Sequence, residues 1–187
     1  MILTYYTGDV PELTPTELAL YGKLDPVRQM TRAAIRRYVN QHRELLSGRV
    51  LDYGCGKRGT CPIPQPYRSM LPSTEYVGWD LGDPPITEEQ DGTFDAILCT
   101  QVLQNAPEPA ELMCAFYRWL KPGGYLVLTY PVAWEEIEYE LWRFTAKGIW
   151  GMAHRANFNL VEQAPICSVR LDGSLNLVLV EGSVWRK

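Results

Sequence analysis

The segment VLDYGCGKRG, residues 50–59, is the most informative part of the chain for the fold, because a short apolar run ends there at closely spaced glycines. The start of the stretch predicts a β-strand, and Gly54 and Gly56 predict a sharp turn directly after it. Glycine has no Cβ, so the backbone can turn tightly and a ligand can approach it closely. The sequence therefore predicts a strand that ends in a turn suited to ligand binding, although a plain connecting turn would have the same composition.

Three later apolar runs have the same character as the first. They span residues 76–79, 94–99 and 125–130. Between the last two, residues 110–120 carry apolar side chains at the spacing of an amphipathic helix, and strand, helix and strand in this order are typical of parallel crossover units. Two further runs, residues 160–170 and 175–185, flank Asp172 and Gly173, a pair that predicts a hairpin. These elements predict an α/β fold, a Rossmann-like three-layer α/β/α sandwich with a mostly parallel sheet and a C-terminal antiparallel hairpin.

The length of 187 residues favours one domain over the whole chain, residues 1–187. We expect residues 1–48 to form a helical N-terminal cap and residues 49–187 to form the Rossmann-like core. A short helix is predicted near residues 15–21, and a longer one begins at Pro26 and ends at Gly48. The longer helix has an apolar stripe for the core. The stripe consists of Val27, Met30, Ala34, Ile35, Tyr38 and Val39.

The charge balance limits the partners of the chain. A formal net charge of −4 and a pI of about 5.3 argue against a broad nucleic-acid-binding surface, so we expect no nucleic-acid partner. Four arginines at helical spacing are interpreted as a solvated helix face, with a local binding patch as the alternative. They are Arg32, Arg36, Arg37 and Arg43. The first residues contain no sustained apolar run, which argues against a signal peptide and against membrane insertion.

The cysteine and histidine content favours a cytoplasmic protein without a metal site. Five cysteines, an odd number without regular spacing, are interpreted as reduced thiols. With only two histidines, a four-ligand zinc site is hard to assemble. One of them, His154, is interpreted as a surface or packed side chain, because no partner that would orient it as a base is apparent. The oligomeric state stays open.

An acidic residue, Asp80, follows the next apolar run. A carboxylate at the end of that strand can accept hydrogen bonds from the two hydroxyls of a ribose, as in nucleotide-binding α/β folds. Ligands of such sheets lie beyond the carboxyl ends of the strands, so we expect Gly54, Asp80 and Thr100 to border one crevice. A simple turn cap before Gly82 is the alternative role of Asp80.

The residues after the glycines separate two classes of cofactor. Gly54, Gly56 and Gly59 fit the pattern GxGxxG, a weak signal for a dinucleotide such as NAD(P). A dinucleotide site needs a helix directly after the glycines, because its N-terminal N–H groups bind the pyrophosphate. Three prolines within residues 62–66 disfavour such a helix. The sequence therefore argues against a cofactor that carries a pyrophosphate.

In the glycine turn, in Asp80 and in the order of its apolar runs, the chain resembles class I S-adenosylmethionine-dependent methyltransferases. The likeness covers residues 48–131 in the order of the family: VLDYGCG, YVGWD, FDAILCTQVLQN and LKPGGYLVLTYP. It implies S-adenosyl-L-methionine as the cofactor, with Asp52 near the methionine amine and Asp80 on the ribose. The cofactor-binding residues that the resemblance implies are Asp52, Gly54, Cys55, Gly56, Asp80, Leu81, Thr100 and Gln101.

The resemblance also has a narrower part and several departures. PYRSMLPSTEYVGWDL and LWRFT resemble a subgroup, the type 11 methyltransferases associated with polysaccharide biosynthesis. Only about thirteen residues separate Asp80 from Phe94, so we expect the sheet to be abbreviated at its third-strand edge. Asp83 and Asp91 are both candidates for the acidic residue that contacts adenine in the family. Asn105 and Ile137 stand where the subgroup has histidines, so no histidine base is carried over.

The segment after the fourth apolar run supplies the catalytic candidates. Glu135 or Glu138 is predicted as a general base, and Arg143 is predicted to hold an anionic acceptor; a solvated surface with internal ion pairs is the alternative. We interpret the chain as a methyltransferase that acts on a small-molecule or saccharide-like acceptor. A non-catalytic adenosylmethionine-binding module and an NAD(P)-dependent oxidoreductase remain alternative interpretations.

Overall fold

The computed structural model describes residues 26–57, 65–72, 74–133, 140–171 and 175–187. Within these ranges the chain forms three α-helices and six β-strands. In chain order they are α1 (Pro26–Gln41), β1 (Arg49–Tyr53), β2 (Glu75–Trp79), β3 (Phe94–Thr100), α2 (Pro109–Trp119), β4 (Leu120–Pro131), α3 (Ala146–Arg155), β5 (Asn159–Leu171) and β6 (Leu175–Arg186). The helix predicted near residues 15–21 lies outside the described residues, and the division into cap and core stays a prediction.

The strands form one mixed sheet in the order β2-β1-β3-β4-β6-β5. β2, β1, β3 and β4 are parallel, and β6 pairs antiparallel with both β4 and β5. Between β2 and β3 the described chain contains a short 3-10 turn, Glu88–Gln90, so β2 is the edge strand of this sheet. The mostly parallel sheet, the C-terminal hairpin and the abbreviated edge are therefore confirmed.

Helices cover both faces of the sheet, because the strands of a parallel sheet are apolar on both sides. α1 packs on one face, where Ile35 and Val39 lie against Val50 and Val127. α2 and α3 pack on the other face, in a core that contains Met113, Phe116, Ile149, Ala153 and Trp185. Three layers result, as predicted. No helix in the described part of the chain is long and apolar enough to cross a membrane.

The longer helix of residues 1–48 ends seven residues earlier than predicted. The amide of His42 is shared between the carbonyl oxygens of Tyr38 (3.3 Å) and Val39 (3.2 Å), and tighter bonds between residues three apart follow. The His42 ring also lies close to the Tyr38 oxygen, with Nδ1 at 2.9 Å. This competition for the last carbonyls ends α1 at Gln41. The turns that follow carry buried Leu46 into the core below Gly48.

Two side chains occupy environments that the sequence did not indicate. Arg36 is only 2% exposed, and its guanidinium donates to the carbonyl oxygen of Pro66 at 2.8 Å, so the arginines of α1 are not a uniform solvated face. Trp150 of α3 is a large apolar side chain that is nevertheless exposed, and its ring stacks on that of His154. Helical spacing alone therefore did not predict which side chains of α1 and α3 are buried and which are exposed.

The close approach of α1 to β6 can be tested at Gly182. A Cβ on Gly182 would lie 2.5 Å from Cζ of the buried Tyr38 ring. We expect Gly182→Ala to lower the free energy of unfolding by about 1–3 kcal/mol, because the ring has no space to retreat. Urea denaturation measures the change. The matched control is Gly151→Ala in α3, where a Cβ meets nothing within 4 Å and should stabilise the helix by about 0.5–1 kcal/mol. Equal effects of the two substitutions would contradict this packing.

Candidate cofactor-binding site

The carboxyl ends of β1 and β2 meet at one point of the sheet edge. The strands are in register, with Tyr53 opposite Trp79. The amides of Gly54 and Cys55 both donate to the carbonyl oxygen of Trp79, at 2.8 and 3.1 Å. The glycine turn after β1 is thereby held beside Asp80, the first residue after β2. The two sequence signals, the glycines and the acid, are neighbours in space.

The turn after β1 requires glycine for conformation and for space. Gly54 and Gly56 have φ angles of +78° and +71°, in the left-handed region that residues with a Cβ rarely adopt. A Cβ on Gly54 would also collide with a methyl group of Val102. On the neighbouring strand, a Cβ on Gly78 would lie 3.0 Å from Sγ of the buried Cys55. The side chains of Val102 and Cys55 therefore occupy the space that a Cβ at these two glycines would need.

Asp52 is a fully buried carboxyl group inside β1. The hydroxyl of Tyr76, on the neighbouring strand β2, donates to its Oδ2. Its other oxygen, Oδ1, is buried and has no hydrogen-bond partner in the described structure. Burial raises the pKa of this carboxyl to about 7; the Tyr76 hydrogen bond opposes the shift and the charge of Asp80 adds to it. An acceptor oxygen with no partner is suited to a ligand that brings a donor or a positive charge.

Asp80 lies just outside β2 and is 4% exposed. Its Oδ1 accepts from the amide of Leu81 at 2.9 Å, and its own amide donates to Oδ2 of Asp83 at 2.8 Å. These bonds order the turn that carries the carboxylate. Leu81 projects outward from the same turn and is 79% exposed.

The ends of β3 and β4 extend the same edge. Thr100 lies opposite Thr129, and the next residue, Gln101, has a φ angle of +56°. The Gln101 amide donates to the Thr129 carbonyl oxygen at 2.9 Å, and its side-chain amide reaches Thr129 Oγ1 at 3.3 Å. The chain therefore turns sharply as it leaves β3. All the predicted cofactor-binding residues lie on or next to the carboxyl ends of β1, β2 and β3.

The predicted catalytic residues are only partly within the described structure. Glu135 and Glu138 lie outside the described residues. Arg143 is described, and its Nη2 forms an ion pair with Oε2 of Glu140 at 2.6 Å. Thr145 caps the helix α3 that follows, since its Oγ1 accepts from the amide of Gly148 at 3.1 Å.

A short segment after β4 is fastened to the loop after β3. The carbonyl oxygen of Gln104 accepts from the amides of Leu141 (2.9 Å) and Trp142 (3.1 Å). The indole of Trp142 donates to the carbonyl oxygen of Ala106 at 2.8 Å. These three bonds bring Arg143 to the side of the sheet edge that β3 and β4 form. The segment therefore lies beside the loop that follows Gln101, one of the predicted cofactor-binding residues.

Sequence analysis did not predict the roles of two residues at this edge of the sheet. The structure also separates the two candidates for an adenine-contacting acid. Tyr76 and Val102 stand inside two of the quoted motifs but were assigned no role there, because only the register of β1 with β2 and the bend after β3 bring them to Asp52 and Gly54. Of the two candidates for an adenine-contacting acid, Asp83 lies in the Asp80 turn. Asp91 instead precedes β3, near Arg118 Nε at 3.9 Å, at the opposite end of the sheet.

The burial of Asp52 predicts a pH-dependent stability. Its pKa, about 7 in the folded chain, lies above its ordinary value of 3.8, so the folded state binds the proton more tightly than the unfolded state does. Stability is then full below about pH 4 and is lost as the pH rises towards and through 7. Asn cannot ionise but can still accept from Tyr76. We therefore expect the Tm of Asp52→Asn, relative to the unsubstituted chain, to increase between pH 5 and pH 8.

Asp95 provides the control for this measurement. The Lys121 ammonium, at 2.8 Å, and the Arg49 amide hold the pKa of the Asp95 carboxyl below its ordinary value. Asp95 is therefore ionised at both pH 5 and pH 8, and the Tm difference between Asp95→Asn and the unsubstituted chain should stay constant over this range. A constant difference for Asp52→Asn as well would show that its carboxyl titrates normally.

Comparisons with known proteins agree with this geometry. The family described as Methyltransferase domain matches residues 27–163. Among curated relatives, the ubiquinone biosynthesis O-methyltransferase of Pseudomonas aeruginosa is 26% identical over 49% of this chain and 48% of its own length. The enzyme of the same name from Xanthomonas oryzae pv. oryzae is 29% identical over 49% of this chain and 46% of its own length. The chain thus spans about half the length of the curated relatives that it matches.

Solved structures share the fold at low sequence identity. An S-adenosylmethionine-dependent methyltransferase from Archaeoglobus fulgidus superposes with a TM-score of 0.60 at 14% identity, over 85% of this chain and 94% of that one. The 1,6-didemethyltoxoflavin-N1-methyltransferase of Burkholderia thailandensis, solved with S-adenosylhomocysteine, gives 0.55 at 18% identity, over 96% and 93%. The family match covers most of the residues that build the sheet and the glycine turn. The chain belongs to the methyltransferase domain family and has the Rossmann-like fold of class I S-adenosylmethionine-dependent methyltransferases.

Proposed function

We propose that this chain binds S-adenosylmethionine and transfers its methyl group to a small-molecule or saccharide-like acceptor. The observation that carries the proposal is the adjacency of the Gly54–Gly56 turn and Asp80 at the ends of two paired strands. The buried and unpartnered Oδ1 of Asp52 is a second observation that fits this cofactor. Methionine brings an ammonium group, and adenosine brings two ribose hydroxyls. The site thus has one carboxyl group suited to the methionine ammonium and another suited to the ribose hydroxyls.

Each residue of the site has a defined task in this proposal. Gly54 and Gly56 would line the cofactor with backbone atoms, and Asp80 would accept hydrogen bonds from the ribose hydroxyls. Asp52 would orient the methionine ammonium. Cys55, Leu81, Thr100 and Gln101 would complete the walls. When bound, the cofactor supplies an electrophilic methyl group on a sulfonium.

The chain's own contribution to the reaction is alignment and exclusion of water. Precise alignment of two reactants can contribute roughly 7–11 kcal/mol to the lowering of a barrier. The segment after β4 would hold the acceptor over the crevice, with Arg143 binding an anionic group and Glu135 or Glu138 accepting a proton from a hydroxyl. The Glu140 carboxylate beside Arg143 would keep that guanidinium in place until an anionic acceptor arrives.

The curated relatives favour a small-molecule acceptor, since the names of those cited above state an O-methyltransferase of ubiquinone biosynthesis. The motif likeness of residues 66–81 to the polysaccharide-associated subgroup favours a saccharide instead. A hydroxyl oxygen as the methyl acceptor is common to both. A non-catalytic cofactor-binding module remains the second candidate, because the sheet edge is abbreviated.

Cofactor binding is tested by calorimetric titration of the chain with S-adenosylmethionine and with its demethylated product. We expect Asp80→Ala to weaken both affinities by roughly a hundredfold, because two hydrogen bonds to a carboxylate are lost. Asp91→Ala removes an acid at the opposite end of the sheet and should leave both affinities unchanged. Undiminished binding by Asp80→Ala would refute the assignment of this carboxylate to the ribose.

Catalysis is tested by transfer of a radiolabelled methyl group to fractionated cell metabolites. With the acceptor in hand, Glu135→Gln or Glu138→Gln should lower kcat by roughly 10²- to 10⁴-fold if the residue is the base, without changing cofactor affinity. Arg143→Met should raise the KM of an anionic acceptor, whereas Lys147→Met, which removes a nearby exposed cation, should not. Cofactor binding without transfer to any fraction would favour the non-catalytic alternative.

A further inference from the structure

Lys57 connects the two turns of the proposed cofactor site. Its Nζ lies 2.5 Å from Oδ2 of Asp83 and 3.0 Å from the carbonyl oxygen of Gly78. The same Asp83 oxygen accepts from the amide of Asp80 at 2.8 Å. Oδ2 of Asp83 thus joins Lys57, which follows Gly56, to the backbone of Asp80, the proposed ribose-binding acid.

The contact between Lys57 and Asp83 lies at the edge of the sheet, where the Asp80 turn has support from only one neighbouring strand. β2 is paired on one side only, with β1, so the turn that carries Asp80 has a neighbouring strand on one side. The last backbone bonds between the two strands are those from Gly54 and Cys55 to Trp79. Beyond them, the ion pair of Lys57 with Asp83 ties the glycine turn to the Asp80 turn.

We propose that Lys57 and Asp83 are positioning residues, whose ion pair sets the distance between the Gly54–Gly56 backbone and the Asp80 carboxylate and thereby sets cofactor affinity. This inference rests on the proposed function. The pair is only partly exposed, with 32% of the Lys57 side chain and 12% of the Asp83 side chain accessible, so solvent screens it less than a surface pair. Asp83 is thereby a structural counter-ion of Lys57 rather than a first contact of adenine.

Removal of Lys57 has different expected effects on the two affinities if the residue acts through its charge alone or through the position of the backbone. The methyl donor carries a positive sulfonium that its demethylated product lacks. If only charge mattered, removal of Lys57 would leave an extra carboxylate and favour the donor over the product. If the pair positions the backbone, both ligands lose affinity by the same factor, because both contain the same ribose and amino-acid groups.

The experiment measures the Kd of donor and product for Lys57→Gln, Asp83→Asn and the double variant. We expect each single variant to weaken both ligands by about tenfold, and the double variant to lose little more, because neighbouring residues that act as a pair are not additive. Lys57→Arg keeps the charge and should recover most of the affinity. The Tm of each variant is measured alongside, so that a general loss of folding is separated from a loss of binding.

A second ion pair supplies the matched control. Arg49 Nε lies 3.0 Å from Glu75 Oε1 and joins the same two strands at their amino ends. Arg49→Gln should leave both affinities unchanged. Unchanged affinity in Lys57→Gln, a shifted ratio of donor to product, or an equal loss in Arg49→Gln would each overturn the positioning role. An unsubstituted chain that binds neither ligand would overturn the proposed function itself, and the positioning role with it.

Discussion

The parallel pairing of β1 with β2, in a register that ends both strands at the same level, is the constraint on which the rest of the site depends. It places the glycine turn after Tyr53 beside the acid after Trp79. The Trp79 carbonyl oxygen accepts hydrogen bonds from the amides of Gly54 and Cys55, so the turn cannot move away from β2 without leaving backbone groups unpaired. A shift of one residue would separate the glycines from Asp80 and would turn Asp52 to the opposite face.

The packing on either side of this strand pair explains why Asp52 is unusual. Asp52 is fully buried and lies opposite Leu98 of β3, which belongs to the apolar core on the α1 face, and Tyr76 supplies a single donor. A buried carboxylate with one oxygen unpaired is costly in the unliganded chain. Such a cost is characteristic of binding sites, where the ligand provides the missing partner. The same group therefore reduces stability, and in the proposed function it would accept the cationic ammonium of the ligand.

The abbreviated edge of the sheet changes how the site is supported. The described chain has a 3-10 turn rather than a strand between β2 and β3, so β2 has backbone bonds to a neighbouring strand on one side only. Side chains take over part of this task, among them the stacked rings of Tyr53 and Trp79 and the indole bond from Trp79 to the carbonyl oxygen of Pro84. At the end of β3, Gln104 and Ala106 bind the segment that leads to Arg143. The turn after β2 and the segment before Arg143 thus both depend on a few specific polar contacts rather than on regular secondary structure.

Sequence patterns alone predicted the order of strands and helices along the chain, the shortened edge, and the two signals at the ends of β1 and β2. These follow from local periodicity and from the conformational properties of glycine and proline, which neighbouring residues alone decide. Tertiary structure decided the partners of Asp52, the contact of Val102 with Gly54, the burial of Arg36 and the separation of Asp83 from Asp91. Each of these joins residues from different elements, and only strand register and helix packing determine which side chains then meet.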